Sequence, residues 1–84
     1  MQVRAFTTAS RIGQFWIAQR PSTERWHVLH GDAAVDGPFT TPQHALDDLC
    51  GGHGYWPDGV DTSTLGLSSA IAEWKVCSVP DWFR

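Results

Sequence analysis

Apolar and polar residues alternate through the first half of the chain and then shift to a helical spacing. Residues 14–19, Gln-Phe-Trp-Ile-Ala-Gln, predict a strand with Phe15 and Ile17 on one face and Trp16 and Ala18 on the other. Residues 25–30, Arg-Trp-His-Val-Leu-His, predict the returning strand, with Trp26, Val28 and His30 sharing a face. Between them Pro21-Ser22-Thr23-Glu24 is a polar turn cluster, so a β-hairpin is expected here. Residues 3–8 predict an earlier strand, followed by a turn around Ser10-Arg11-Ile12-Gly13. After a break at Gly31-Asp32, residues 34–39 predict a short strand, and Pro38, which has no N–H for a ladder, places it at an edge or bulge.

The helical spacing covers residues 41–50. Thr41 is the expected N-cap, Pro42 suits the first helical position, and Gly51 suits the left-handed stop. Ala45, Leu46, Leu49 and Cys50 fall on one stripe, with Gln43, Asp47 and Asp48 expected in water. So short a helix is unstable alone and must pack on the sheet. From Gly51 the pattern weakens into a loop rich in glycine, continued by Asp61-Thr62-Ser63-Thr64. Residues 68–74 suit a short helix, while 74–77 suit equally a strand with Trp74 and Val76 inward. The expected fold is therefore α+β: a small antiparallel sheet of three or four strands with one short helix packed on it. It forms a single domain over residues 1–84, with strands in 1–39, the helix in 41–50 and a loop-rich C-terminal segment in 51–84.

Composition narrows the picture. The chain has 84 residues, 42% hydrophobic, with five Trp, four Phe and one Tyr, so aromatic burial is the expected source of its core. No apolar run approaches the roughly 20 residues that span a bilayer, and Met1-Gln2-Val3-Arg4-Ala5-Phe6 has no secretion-signal block. A cytoplasmic protein without membrane partners, with Cys50 and Cys77 as reduced thiols, is the expectation. The net charge of −3 is unevenly placed. Residues 1–30 carry Arg4, Arg11, Arg20 and Arg25 against Glu24, a net of +3, whereas residues 31–84 carry −6.

Several side-chain sets suggest chemistry. Cys50-Gly51-Gly52-His53, with His44 and Cys77, offers four zinc donors, but no second closely spaced ligand pair accompanies it. His27 and His30, three apart on a strand, point to opposite faces and cannot chelate together. A zinc-stabilised module is thus an alternative, and no metal or cofactor is the expectation. Cys50 lies near a helix C-terminus, where the dipole disfavours a thiolate, and no nucleophile, phosphate-loop or dinucleotide motif is present. The chain is expected not to be an enzyme. Arg11, Arg20 and Arg25 interleaved with Trp16 would suit a nucleic-acid-binding hairpin, the first alternative, although the chain as a whole is acidic. Tyr55-Trp56 in the glycine-rich loop and Trp82-Phe83 near the end stand where a core least needs aromatics, which marks them for a protein interface. Asp47, Asp48 and Asp58 belong to a stretch without Lys or Arg that would steer toward a basic partner surface.

The run Gly37-Pro38-Phe39-Thr40-Thr41-Pro42-Gln43-His44-Ala45-Leu46-Asp47-Asp48-Leu49 resembles the strand-to-helix passage of many small uncharacterised bacterial proteins, and Asp61-Thr62-Ser63-Thr64-Leu65-Gly66 is similar to that group too. In size, acidity and lack of motifs the chain is similar in type to phage and mobile-element inhibitors, including anti-CRISPR proteins. That likeness implies an inhibitor of a host nucleic-acid-handling complex and transfers no site residue. A non-enzymatic inhibitor or adaptor acting through a protein–protein interface is the functional expectation.

Overall fold

The computed structural model describes residues 3–84. Four strands follow one another as an antiparallel meander: β1 (Ala5–Ser10), β2 (Gly13–Arg20), β3 (Arg25–His30) and β4 (Ala33–Phe39). A two-residue strand, β5 (Lys75–Val76), pairs antiparallel with the outer side of β1, giving the order β4-β3-β2-β1-β5. The sheet therefore has five strands, one more than the alternation of the N-terminal half could show. β4 lies at an edge, as Pro38 requires, and its pairing with β3 shifts register between Trp26 and Leu29. β1 begins at Ala5 and runs to Ser10, two residues beyond the predicted end.

Helix α1 (Pro42–Gly51) is built as its signals demand. The Thr41 hydroxyl accepts from the His44 N–H at 3.1 Å, satisfying a backbone donor at the first turn. The left-handed stop falls on Gly52 (φ 69°), not on Gly51, so the helix continues one residue past expectation. Ala45, Leu46 and Leu49 are buried against Phe15, Ile17, Trp26 and Val28 of the sheet, and Trp74 completes this core. Burying a side chain of leucine size contributes roughly 1.5–3 kcal/mol, so Leu46 and Leu49 hold an otherwise unstable helix in place.

The other face of the sheet has a second, smaller core. Ala5, Ala18 and Leu29 meet Val79 and Phe83, with Trp16 and Cys77 at its margin. After β5 the chain crosses to this face, and a 3-10 turn over Asp81–Phe83 drives Phe83 to 1% exposure. The Arg20 guanidinium lies 4.3 Å from the Phe83 ring centroid, and His27 meets the ring edge-on at 5.3 Å. Burial and the neighbouring Arg20 charge hold the His27 pKa below its usual value.

Residues 51–66 are tied down. The buried Thr62 hydroxyl donates to the Leu49 carbonyl at 2.5 Å, occupying an acceptor in the last turn of α1. Asp61 accepts from the Ser63 N–H at 2.9 Å and hydroxyl at 2.7 Å, which lowers its carboxyl pKa. Arg11 reaches from the β1–β2 turn to the Thr64 carbonyl at 3.1 Å. Residues 71–73 form a 3-10 turn, not the longer helix over 68–74. Trp74 is inward as expected, whereas Val76, at the β5 edge of the sheet, is 57% exposed.

Candidate functional site

The four aromatics of the expected interface divide between the two faces of the sheet. Tyr55 packs on the helix-side core, where its hydroxyl lies 3.1 Å from His30 Nδ1. Since the Ile12 carbonyl, 2.9 Å from Nε2, can only accept, Nε2 is the donor there, and the Nε2–H tautomer leaves Nδ1 to accept from the tyrosine hydroxyl. Burial and the Asp58 charge raise the Tyr55 pKa, so this phenol stays protonated. Trp56 is half exposed, and its indole N–H donates to the Gly52 carbonyl at 2.7 Å, closing the end of α1. Phe83 is a core residue on the opposite face, and only Trp82 beside it is exposed, at 48%. Tyr55-Trp56 and Trp82-Phe83 therefore do not form one patch: the sheet stands between Tyr55 and Phe83.

The acids are also in unlike settings. Asp47 is exposed on α1 and accepts from Gln43 Nε2 at 2.8 Å. Asp58 is exposed in a left-handed conformation (φ 52°). Asp48, expected in water, instead turns toward Asp36 of β4, and the hydrogen bond to that carboxyl, together with burial, raises its pKa to about 6.

The basic hairpin does not hold together as a surface. Arg11 lies at one end of β2 and the paired Arg20 and Arg25 at the other, separated by about 23 Å of strand at 3.3 Å per residue. Arg20 is engaged with Phe83, Arg11 with Thr64, and Trp16 is half-buried at the second core.

The proposed zinc ligands are not assembled. Cys50 belongs to the helix-side core and Cys77 to the reverse one, because β5 carries the chain past the sheet edge between them. His44 stacks edge-on against Phe39 at 5.1 Å. Among the described residues, no group of three or more His, Cys, Asp or Glu side chains is placed to hold a metal ion. Burial raises the pKa of both thiols, with the Asp47 charge adding to the effect at Cys50.

What the sequence pattern did not show is a groove of about 540 Å³ at the β1–β5 edge. Val3, Pro21, Val76 and Val79 supply its apolar surface, and Arg4 and Arg84 its charge. Among the described residues, its lining contains no acidic side chain. The chain runs through Cys77 and Ser78 along its wall, and Trp82 sits on the turn between Val79 and Arg84. Of the exposed large hydrophobic residues among those described, Val3 (40%) and Val76 line the groove, while Trp82 lies outside its lining on the turn that precedes Arg84. Compared with protein-family models, curated proteins and solved structures, the chain matches none. The only sequence signal of the groove was Val76, an apolar residue in a segment whose periodicity did not distinguish helix from strand.

Proposed function

We propose that the chain is a non-enzymatic cytoplasmic binding domain, an inhibitor or adaptor whose working surface is the groove at the β1–β5 edge. The observation that carries this reading is that Val3 and Val76, two of the exposed large hydrophobic residues among those described, line one concave surface, with exposed Trp82 on the turn that leads to its Arg84. Water-facing apolar side chains scattered singly are ordinary, whereas a contiguous group with a polar rim is what a partner covers. Trp82 is the residue type most enriched where binding energy concentrates.

Charge supports an adaptor with two unlike sides. Asp36 lies on β4 and the groove lies beside β5, at opposite edges of the five-stranded sheet. At about 4.8 Å per strand the two edges are roughly 19 Å apart, well beyond a Debye length at physiological salt. In this reading the exposed Asp47 and Asp58 steer a basic partner surface, and Arg84 contributes charge at the groove.

Pull-down from a lysate of the source cells, with nuclease present, tests the reading. Wild type is expected to capture a protein stoichiometrically, Val76→Asp to lose it, and Trp56→Ala to retain it. Capture that disappears with nuclease, or that is indifferent to Val76, sinks the groove as the working surface.

A further inference from the structure

Between the end of α1 and Pro57 the chain forms a short strap over residues 52–56. Its near end is fixed at the helix stop, where the His53 N–H donates to the Asp48 carbonyl at 3.2 Å, and its far end by the buried Pro57. Gly52, left-handed at φ 69°, and Gly54 leave the backbone free to turn at two points. In the middle, Gly54 lies against Asp36 Oδ2 of β4 and Asp48 Oδ2 of α1 together. The Gly37 N–H occupies Asp36 Oδ1 at 2.9 Å, which leaves Oδ2 for the contact. The strap thereby helps to shut Asp48 Oδ2 off from water.

Two carboxyl groups under one backbone cover require a proton. With one proton between them the contact is satisfied. With none, Asp48 Oδ2 is an anion without a donor beside a second anion, a state that is stable only once water reaches it. Gly54 has to move for that water to enter. The surrounding charges do not supply a substitute. His53 on the strap and His44 one turn back on α1 favour the ionised Asp48, but the Asp36 contact and burial oppose it more strongly. Asp61, against Gly52, is engaged by Ser63, Asp47 by Gln43, and His27 of β3 by the Asp36 backbone. Residues 26–74 contain no Lys or Arg, and Arg11, which reaches this part of the chain, is turned to Thr64.

We infer that residues 52–56 are a proton-operated latch: with a proton held between Asp36 and Asp48 the strap lies closed on the pair, and loss of that proton lifts Gly54 and uncovers Tyr55 beside the exposed Trp56. Opening turns at the glycines, breaks the His53 bond to Asp48 and parts the Tyr55 hydroxyl from His30, while the buried residues of both cores stay in place. The latch sits at the β4 edge, across the sheet from the groove beside β5, so it goes beyond the binding-domain reading and does not depend on it. Its direction follows from linkage. The Asp48 carboxyl, raised to about 6 with the strap closed, returns toward its ordinary 3.8 once water reaches it. Opening therefore releases a proton between those values, and the opening constant should rise about tenfold from pH 5 to pH 7.5 and level off above.

Hydrogen exchange of the full chain, followed by NMR, tests the latch. The readout is the protection factor, the ratio of free to observed exchange at one pH, from which the ordinary pH dependence of exchange drops out. The reference is the Trp74 indole N–H, which donates to the Ser68 carbonyl at 3.0 Å beside the helix-side core. Because the strap opens without unfolding that core, the His53 amide should be at least about tenfold less protected than the Trp74 indole. From pH 5 to pH 7.5 it should lose protection about tenfold further. In Asp48→Asn, whose amide donates to Asp36 at any pH, the His53 amide should be equally protected at both, and Asp36→Asn should give the same result from the other side. His53→Gln should keep the loss at its own amide and move it to higher pH, since a charge favouring the ionised Asp48 has gone. Protection that does not change with pH overturns the inference, as does a loss that survives in Asp48→Asn or Asp36→Asn. Equal protection of the His53 amide and the Trp74 indole at every pH would mean that the strap opens only when the chain unfolds, and overturns it too.

Discussion

The carboxyl of Asp48 on α1 faces that of Asp36 on β4, and the Oδ2 atom of Asp48 is shut off from solvent with no donor group turned toward it. Two carboxylates offer only acceptors, so the contact is satisfied when one proton is held between them. The Asp48 pKa is accordingly raised to about 6, with the Asp36 hydrogen bond the largest cause and burial the next, while His53 and His44 lower it modestly. A carboxyl raised from its ordinary 3.8 binds more protons in the folded chain than in the unfolded one between those two values. Its contribution to stability is therefore full below about pH 4 and declines as pH rises through about 6. His27, whose pKa is lowered, works in the reverse sense, losing stability as pH falls through its own range. The clean readout is the difference between wild type and Asp48→Asn, since His27 is common to both. The asparagine amide donates to Asp36 at any pH, so the variant should melt higher than wild type at pH 7.5 and lose that advantage by pH 5. A difference independent of pH would mean that no proton is shared.

Gly54 explains why these carboxyls meet where they do. A Cβ built at this position collides with Asp36 Oδ2 and Asp48 Oδ2 together, so a side chain here must displace the two carboxyls. Gly54→Ala should destabilise by about 1–3 kcal/mol, as overpacking does, and should return the Asp48 pKa toward its ordinary value by prising the carboxyls apart. Chemical denaturation measures the first effect and a carbon-13 carboxyl titration the second. An unchanged midpoint would show that the loop moves freely off the pair.

The local signals along the chain were sufficient for the meander and the helix. Alternation at Phe15, Ile17, Trp26 and Val28, the Thr41 cap and Pro42 each state a backbone preference that the fold obeys. Asp48 was misplaced because helical spacing gives the direction of a side chain but not what β4 and Gly54 bring up against it. Phe83 was hidden for a similar reason. Its burial depends on a chain reversal past β5 that only long-range packing with Ala5, Ala18 and Leu29 determines. The groove was legible at most through Val76, since its lining joins residue 3 to residue 84 and no short window contains it.

The second core makes neighbouring aromatics behave oppositely. Phe83→Ala removes the centre of the cluster on the reverse face and the ring between Arg20 and His27, and should cost about 3–5 kcal/mol. Trp82→Ala, on a half-exposed ring, should change stability by no more than about 0.5 kcal/mol while weakening partner capture. As an independent check, NMR titration of His27 in Phe83→Leu should show its pKa moving upward as the aromatic cover is lost. Similar melting of Phe83→Ala and Trp82→Ala would contradict the assignment of Phe83 to the core.

Cys50 and Cys77 lie in different cores with the sheet between them, which excludes an intramolecular bridge without unfolding one face. Under an oxidising glutathione buffer the folded chain should keep both thiols, counted by alkylation and mass spectrometry. Reaction should be slow because burial raises both thiol pKa values and lowers the thiolate fraction. Cys50 should lag behind Cys77, since the Asp47 charge adds to burial at Cys50 whereas Lys75 offsets it at Cys77. Denaturant should abolish the difference in rate. A bridged monomer formed without denaturant would mean that the C-terminal segment leaves the reverse face, and with it Phe83 and the wall of the groove.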